Sequence, residues 1–397
     1  MVKVYLKKGR DESLRRFHPW VFSGAIGQVS GEPAEGDVVG VFAADGSFLA
    51  YGHWQIGSIA VRVLSFDEDV QQPDFWEKMI GRAYQMRVAA GLAGAEDTCC
   101  YRLVHGEGDN LPGLIIDMYD GVAVMQAHSV GMFRAKSQIT EALKKVYGDA
   151  LKAVYDKSSG TAPFKAGLEL VDGYVWRRDG FSDDEQVVLE NGLKFLVNWT
   201  EGQKTGFFLD QRENRAAVGR LAKGRNVLNL FCYTGGFSIY ALGNGATHVD
   251  SVDSSRKAMD MVERNVELNG FEASRHTGYC TDAIDFLRDV PEGKYDLMIV
   301  DPPAFAKHRG ALKNALRAYQ RLNAAAISKV APGGFVFTFS CSQVVDKEAF
   351  ALAVFSAAAQ TGRSVRILDR LNQPADHAVN IYHPEGEYLK GLLLYVE

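Results

Sequence analysis

The chain has 397 residues, 47% of them hydrophobic and 23% charged, which is the composition of a soluble globular protein with two or three domains. No run of residues approaches the ~18 apolar positions of a membrane-spanning helix, and the start of the chain lacks the apolar stretch of a signal peptide. The five cysteines form neither a Cys-x-x-Cys pair nor a Cys/His cluster at zinc spacing. We therefore predict a cytoplasmic protein with reduced thiols and no metal site.

The net charge of -5 argues mildly against a nucleic acid partner, because phosphate binding favours a basic surface. The charge is nevertheless unevenly distributed along the chain. Residues 303–330 contain six Lys or Arg and no acidic residue, and the first twenty residues contain six Lys or Arg against two acidic residues. Both segments fit a confined surface for a polyanion. Either segment alone is explained about as well by a solvated helix face or an ordinary basic N-terminus.

The first predicted domain, residues 1–68, is a small β domain. Short β-rich runs at 38–42 and 59–64 are separated by Gly-containing turns, and a polar stretch followed by Pro73 marks the end of the domain. The second predicted domain, residues 69–188, is α+β. It begins with a helix at 75–92 and contains a β-hairpin signal around Asp120-Gly121, followed by a helix at 133–146.

The third predicted domain, residues 189–397, alternates strands with helices, the pattern of a doubly wound and mostly parallel sheet. We predict strands near 227–231, 248–252, 275–279, 296–300, 335–339, 364–369 and 390–396. We predict helices near 236–243, 255–269, 282–288, 311–330 and 346–361. The last strand should run antiparallel to its neighbours. The fold class is therefore α/β, a Rossmann-like seven-stranded sheet preceded by a small β domain and a central α+β domain.

Three segments at the ends of predicted strands suit a nucleoside cofactor. The first strand ends in a tight turn, whose candidate ligand-binding residues are Phe231, Tyr233, Thr234 and Gly235. The turn lacks the Gly-x-Gly-x-x-Gly spacing that binds a pyrophosphate. Asp253 and Ser254 follow the second strand, where a carboxylate can accept from both ribose hydroxyls, and Asp282 follows the third strand. Together they suit S-adenosylmethionine, although each Asp alone is more often a helix N-cap.

Two further strand ends carry candidate catalytic residues. Asp301 leaves the fourth strand ahead of Pro302 and Pro303, whose rings restrict the backbone and present the carboxylate rigidly. Phe305 could stack on a base, or it could be an ordinary buried Phe. Cys341 follows the fifth strand between two serines. A free cysteine is usually a small core residue, but this position is where open α/β sheets bind their ligands.

A cysteine at this position indicates a particular reaction. Carbon 5 of cytosine is too weakly nucleophilic to take a methyl group from a sulfonium ion. Addition of a thiolate to carbon 6 produces an enamine and so activates carbon 5. Methylation of an amino group or of guanine needs no thiol. Cys341 therefore distinguishes between these reaction classes, with Asp301 assisting at the N3 and N4 edge of the ring.

Several motifs resemble the ribosomal large subunit methyltransferase I family, which methylates carbon 5 of a cytosine in 23S ribosomal RNA. These motifs are DPPAF at 301–305, FSCS at 339–342, FFLDQR at 207–212, HPWVFSG at 18–24, EGDNLPG at 107–113 and YLKG at 388–391. The resemblance spans nearly the whole chain. It implies an N-terminal PUA domain that binds structured RNA, a central domain, and a class I methyltransferase domain that uses S-adenosylmethionine.

The resemblance also implies roles for individual residues. Cys341 would be the nucleophile and Asp301 would contact the target base. Gln211 and Arg212 would lie near the methionine end of the cofactor, an assignment that depends on the resemblance alone, since residues 210–212 otherwise suggest only a charged helix start. We predict that the residues that bind the RNA substrate are Pro302, Pro303, Phe305, Lys307 and Arg309. The target cytosine is expected to be unpaired or flipped into the site.

Other functions stay open at this point. A guanine or amino-group RNA methyltransferase would share the cofactor motifs, with Cys341 as a bystander. A non-catalytic RNA-binding assembly factor would keep the fold without turnover. A nicotinamide dehydrogenase is the weakest alternative, because the phosphate loop is missing. The sequence does not reveal the methylated nucleotide, the base that removes the carbon 5 proton, or whether the protein forms a homodimer.

Overall fold

The computed structural model describes residues 1–163, 167–306 and 308–397. The chain divides into two compact units. Unit 1 contains Met1–Val188, Val197–Leu209 and Ala375–Gly386, and unit 2 contains Leu189–Leu196, Asp210–Pro374 and Glu387–Glu397. The domain boundaries predicted after residues 68 and 188 stay predictions. None of the helices in the described ranges is both long enough and apolar enough to span a membrane.

The first sheet of unit 1 is built from six strands. They are β1 (Val2–Leu6), β2 (Trp20–Phe22), β3 (Ile26–Val29), β4 (Val38–Phe42), β5 (Phe48–Trp54) and β6 (Ile59–Ser65), in the order β2-β6-β5-β4-β1-β3. A short helix, α1 (Glu12–Arg15), connects the first two strands. Residues of these strands, with Val4, Val41 and Val61 among them, form one buried hydrophobic cluster. The β runs predicted at 38–42 and 59–64 are confirmed.

In the described residues, the second sheet of unit 1 has five strands and is accompanied by three helices. The strands are β7 (Cys100–His105), β8 (Leu114–Tyr119), β9 (Val122–Ala127), β10 (Ala153–Asp156) and β11 (Gly173–Arg177), in the order β11-β10-β9-β8-β7. The helices are α2 (Phe75–Ala89), α3 (Val130–Arg134) and α4 (Lys136–Tyr147). The predicted hairpin is confirmed, with positive φ at both turn residues, Asp120 and Gly121. The single helix predicted at 133–146 is wrong in two respects. It begins earlier, where the Ser129 hydroxyl accepts from the Met132 backbone N–H, and it is interrupted at Ala135.

Segment 375–386 of unit 1 is inserted between the last two strands of the chain. Arg87 forms a buried ion pair with Asp109 and donates to the Asp376 carbonyl oxygen at 2.7 Å. The Arg102 backbone N–H donates to the Asp376 carboxylate at 3.0 Å. These buried charge-assisted contacts fix the inserted segment to the second sheet.

Unit 2 contains a seven-stranded sheet. Its strands are β14 (Asn226–Leu230), β15 (His248–Asp253), β16 (His276–Cys280), β17 (Tyr295–Val300), β18 (Val330–Ser340), β19 (Val365–Asn372) and β20 (Lys390–Val396). The order is β16-β15-β14-β17-β18-β20-β19, and β20 runs antiparallel to both of its neighbours. A two-stranded sheet of β12 (Glu185–Glu190) and β13 (Leu193–Asn198) precedes it in the chain.

In the part of unit 2 that the structure describes, six helices accompany this sheet. They are α5 (Arg212–Ala222), α6 (Gly236–Gly243), α7 (Arg256–Leu268), α8 (Ala283–Asp289), α9 (Leu312–Lys329) and α10 (Lys347–Thr361). The seven predicted strands and five predicted helices are confirmed, and so is the antiparallel last strand. Strand β18 begins several residues before the prediction, and α5 was recognised only as a charged helix start. The register pairs Leu230 with Val300 and Val300 with Thr338, so the residues that follow β14, β17 and β18 emerge at the same edge.

Candidate active site

The turn after β14 has a strained backbone. Phe231, Tyr233 and Gly235 all have positive φ, at 58°, 47° and 81°. A Cβ atom added at Gly235 would lie 3.0 Å from Cγ1 of Val262, and one added at Gly236 would lie 2.9 Å from Cδ of Arg215. Packing against α7 and α5 is therefore one reason for the two glycines, alongside the predicted role of Gly235 in ligand binding.

The Asp253 carboxylate holds this turn against the end of β15. Its Oδ2 accepts from the Tyr233 backbone N–H and its Oδ1 from the Ser255 backbone N–H, each at 2.9 Å. Asp253 is not the N-cap of α7, because Ser255 has that role, so the capping alternative is wrong for Asp253. Ser254, between them, is exposed. Thr234 is buried, and its carbonyl oxygen accepts from Asn265 at 2.9 Å.

Asp282 caps a helix. Its Oδ1 accepts from the backbone N–H groups of Ile284 and Asp285, at 2.8 and 3.0 Å, at the start of α8. The capping alternative is thus confirmed for Asp282. The side chain is exposed, and its predicted contact with a cofactor stays a prediction.

A buried charge cluster supports the first turns of α5. Nε and Nη2 of Arg215 donate to the two oxygens of Glu190, each at 2.8 Å, and Nε of Arg212 lies 3.5 Å from Glu190 Oε2. The Tyr240 hydroxyl donates to Oε1 of Glu190 at 3.0 Å. Burial followed by the Glu190 charge raises the pKa of Tyr240, which keeps its proton available for this bond. The cluster fixes the orientation of α5, and therefore of the residue that precedes it, Gln211.

Gln211 connects α5 to the end of β17. Its Nε2 donates to Oδ2 of Asp301 at 2.9 Å, and its Oε1 accepts from Asn214 at 2.6 Å. Asn214 also donates to the Asn372 carbonyl oxygen at 3.3 Å. The sequence prediction missed both asparagines. A polar residue one helical turn after Gln211 was the only available signal for Asn214, and Asn372 contributes backbone alone.

Asp301 is partly exposed but closely surrounded by protein atoms. Desolvation raises the pKa of its carboxyl to about 7, the charge of Asp210 acts in the same direction, and the hydrogen bond from Gln211 opposes the rise. A carboxyl of this kind holds its proton in a large fraction of molecules at neutral pH. It can therefore donate a hydrogen bond or a proton to a ring nitrogen.

Asp210 lies directly before Gln211 in a short 3-10 turn. Its Oδ2 accepts from the Tyr388 hydroxyl at 2.7 Å. Its Oδ1 is buried and has no hydrogen-bond partner among the residues that the structure describes. Sequence reasoning did not assign a role to Asp210 or Tyr388, although both belong to motifs that carry the resemblance.

Cys341 follows β18 directly and is partly exposed, so it is not one of the fully buried core residues. The two flanking serines hold its backbone. The Ser340 hydroxyl donates to the Tyr319 hydroxyl at 2.9 Å, and the Ser342 hydroxyl donates to the Ala306 carbonyl oxygen at 2.7 Å. Desolvation raises the pKa of the Cys341 thiol to about 11, and the charges of Asp301 and Asp210 add to the rise.

Lys390 lies beneath the Cys341 loop. It is opposite Ser340 in the register of β18 and β20, and its buried ammonium group donates to the carbonyl oxygens of Ser342 and Val345. Desolvation lowers the pKa of Lys390 to about 8, and the Cys341 charge opposes this change. The positive charge of Lys390 in turn opposes the rise in the pKa of Cys341.

The remaining predicted substrate residues follow Asp301. Pro302 is buried and Pro303 is exposed. Phe305 is partly buried against the core, with its ring centroid 4.8 Å from that of Tyr319, so the buried-Phe alternative accounts for part of its surface. Arg309 is exposed at the start of the turn before α9, and Lys307 lies outside the described residues.

The polar groups around the glycine turn fit S-adenosylmethionine better than they fit a cofactor with a pyrophosphate. The groups next to the glycine turn are carboxylates, Asp253 at the end of β15 and Asp282 at the start of α8, which suit hydroxyl and amino groups. Asp210 and Asp301 add negative charge near Cys341, where a sulfonium ion would be favoured.

Comparisons with known proteins agree with this arrangement. A family model described as S-adenosylmethionine-dependent methyltransferase matches residues 176–393, and a PUA-like domain model matches residues 4–66. The chain is 40% identical to the Ribosomal RNA large subunit methyltransferase I of Aeromonas hydrophila, over 98% of each chain. It is 41% identical to the protein of the same name from Aeromonas salmonicida, over 99% of each chain.

Two solved structures share the fold. One is a methyltransferase complexed with SAH, with a TM-score of 0.85, and the other is a SAM-dependent methyltransferase from Streptococcus mutans, with a TM-score of 0.83. Each is 22% identical to this chain, and each match covers 100% of both chains. On the evidence of the full-length relatives and the family model, this chain belongs to the Ribosomal RNA large subunit methyltransferase I family of S-adenosylmethionine-dependent methyltransferases.

Proposed function

We propose that this protein methylates carbon 5 of a cytosine in 23S ribosomal RNA through a covalent bond between Cys341 and carbon 6. The names of the full-length relatives support the large-subunit ribosomal RNA as the substrate. One observation supports the proposed chemistry. The partly exposed thiol of Cys341 follows the strand next to that of Asp301, at the sheet edge where the glycine turn also lies. The PUA-like segment and the basic residues near it would contact the RNA. The cytoplasmic location stays a prediction.

Cys341 and Asp301 have complementary tasks in this reaction. The Cys341 thiolate adds to carbon 6, and the electrons of the C5–C6 double bond move into the ring as Asp301 gives a proton to N3. With a pKa of about 7, Asp301 is protonated in about half of the molecules at pH 7 and can make this donation. The product is an enamine with a nucleophilic carbon 5.

S-adenosylmethionine supplies an electrophilic methyl group on a sulfonium ion when it is bound. Gln211 orients Asp301 through its 2.9 Å hydrogen bond, and Lys390 holds the loop that carries Cys341. Asp253 fixes the glycine turn that would surround the nucleoside. After methyl transfer, carbon 5 loses its proton, the C5–C6 double bond re-forms, and the Cys341 sulfur leaves carbon 6 with its electron pair. N3 then returns its proton to Asp301.

The test is to incubate the protein with methyl-labelled S-adenosylmethionine and unmodified 23S ribosomal RNA, then to digest the RNA and identify the labelled nucleoside. The proposal requires 5-methylcytidine. Cys341→Ala should abolish transfer yet change cofactor affinity by no more than roughly threefold, under ~1 kcal/mol. Cys99→Ala, a partly exposed thiol of unit 1, is the matched control and should retain activity. Label on guanine, or turnover by Cys341→Ala, would contradict the proposal.

A second candidate is an amino-group or guanine methyltransferase, in which Cys341 is a bystander. The raised pKa of Cys341 favours it, because few molecules carry a thiolate at neutral pH before RNA binds. RNA that contains 5-fluorocytosine separates the two, because fluorine blocks release from the thiol. A denaturant-stable adduct with the wild-type protein, absent from Cys341→Ala, excludes the second candidate. Failure to bind S-adenosylmethionine in calorimetry would favour an RNA-binding assembly factor instead.

A further inference from the structure

The proposed reaction needs a base that removes the carbon 5 proton after methyl transfer. Among the residues that the structure describes, the site offers few candidates. Nζ of Lys390 is committed to two backbone carbonyl oxygens, and the Tyr319 hydroxyl accepts from Ser340. Burial raises the pKa of Tyr319 to about 12, so its anion is scarce. Asp301 acts earlier, as the donor to the ring.

Asp210 is the remaining ionisable group whose charge is felt at both Asp301 and Cys341. The Tyr388 hydroxyl holds only one of its oxygens, at 2.7 Å. The other oxygen has no hydrogen-bond partner within the described ranges. A buried carboxylate oxygen without a donor is unfavourable for stability, and such groups occur where function requires them.

The backbone also places Asp210 suitably. It directly precedes Gln211, whose side chain binds Asp301 at 2.9 Å, and α5 is fixed by the Glu190 cluster. Asp210 is therefore the chain neighbour of the residue that binds Asp301, and its charge acts on the Asp301 carboxyl by raising the pKa of that group. Two neighbouring carboxyl groups in one active site commonly divide the acid and base roles.

We propose that Asp210 is the catalytic base that removes the carbon 5 proton of the methylated adduct. The C5–H bond breaks and its electron pair forms the C5–C6 double bond. The C6–S bond breaks with its electron pair returning to the Cys341 sulfur, and the proton ends on the free oxygen of Asp210. The proton leaves Asp210 when the product departs and solvent enters the site. This inference rests on the proposed cytosine-5 reaction and adds the group that completes it.

The experiment is a single turnover with two labels. RNA with tritium at carbon 5 of cytosine is mixed with enzyme and S-adenosylmethionine that carries a carbon-14 methyl group. Methyl incorporation reports transfer, and tritium in the solvent reports removal of the proton. In the wild-type protein the two should rise together.

Asp210→Asn should separate the two signals. Methyl incorporation should continue, whereas tritium release should slow by about a hundredfold or more, the usual contribution of a general base. The methylated RNA should then remain attached to Cys341 and migrate with the protein on a denaturing gel, even without fluorine. Asp210→Glu, which returns a carboxylate, should recover part of the tritium release. Asp369→Asn, an exposed carboxylate on β19, is the matched control.

Three results would overturn the inference. Tritium release in step with methyl transfer in Asp210→Asn shows that another group is the base. Loss of both signals, with cofactor binding and thermal unfolding unchanged, shows that Asp210 acts before methyl transfer. Failure of Asp210→Glu to restore any release in a folded protein excludes a carboxylate role. A wild-type protein that makes no 5-methylcytidine would instead reject the proposed function, so the two failures are distinguishable.

Discussion

Replacement of Asp301 by Asn should make Cys341 more reactive toward a maleimide, by a factor that depends on pH. The ionised Asp301 raises the pKa of the Cys341 thiol, which is about 11, whereas an unperturbed cysteine has a pKa of 9.0. At pH 8 only about one molecule in a thousand then carries the thiolate. Each unit by which the pKa falls raises the fraction of thiolate about tenfold. Asn keeps the oxygen that accepts from Gln211, so the substitution removes mainly the charge.

The expected magnitude follows from the three influences that raise the pKa of this thiol. Desolvation is the largest, and the charges of Asp301 and Asp210 come next, so Asp301 accounts for only part of the rise. We expect alkylation of the variant to be about three- to tenfold faster than that of the wild type at pH 8. At pH 6 the wild-type Asp301, with a pKa of about 7, is mostly protonated, and the two rates should converge.

The assay is peptide mass spectrometry of Cys341 alkylation between pH 6 and pH 8.5. Cys280, a partly exposed thiol at the end of β16, provides an internal reference within each sample. Equal rates at every pH, or a slower variant at pH 8, would refute the electrostatic reasoning. A faster variant with a ratio independent of pH would show that the substitution opened access to the thiol instead.

Three other substitutions have defined outcomes. Lys390→Met should slow Cys341 alkylation at pH 7, by up to about threefold, because the cation that lowers the thiol pKa is gone; an equal or faster rate contradicts this. Glu190→Gln should lower the free energy of unfolding of unit 2 by about 3–5 kcal/mol, since Arg215 and Arg212 lose their buried carboxylate. Urea unfolding followed by circular dichroism measures it, and a loss below ~1 kcal/mol refutes the role of the cluster. Gly235→Ala should weaken S-adenosylmethionine binding in calorimetry by about tenfold, because φ of 81° and the 3.0 Å approach to Val262 force the turn to move. Gly224→Ala, with φ of 72° and open space around its Cβ, shares the backbone strain and should leave cofactor affinity unchanged.

The sheet of unit 2 could be predicted because parallel strands buried on both faces have nearly continuous apolar runs. Val227–Leu230 and Leu297–Val300 are fully buried, and polar residues begin where each run ends. The same rule placed Asp253, Asp301 and Cys341 at one edge. Prediction was hardest for helices with polar contacts. The helix at 133–146 begins at the Ser129 cap and is interrupted, which an apolar stripe does not indicate.

The rest of the site could not be predicted because its supporting residues are buried and polar. Helix α5 buries Arg212, Asn214 and Arg215 ahead of Ala217, Val218 and Ala222, so the inward face of its first turn is polar rather than apolar. Their partners come from distant segments, with Glu190 before the helix and Asn372 far beyond it. Hydropathy assigns such residues to the surface, and only the three-dimensional pairing of charges reveals that they are internal.

The insertion of segment 375–386 between β19 and β20 has a consequence for protein synthesis. Arg87 and Arg102 donate hydrogen bonds to Asp376, and the ribosome adds Asp376 almost three hundred positions later. The amino-terminal part of the nascent polypeptide therefore cannot reach its complete set of contacts until residue 376 has been added. A fragment that stops at residue 188 would lack Asp376, the acceptor for these donors of Arg87 and Arg102. Shortened expression products of this enzyme should therefore be tested for the loss of these contacts.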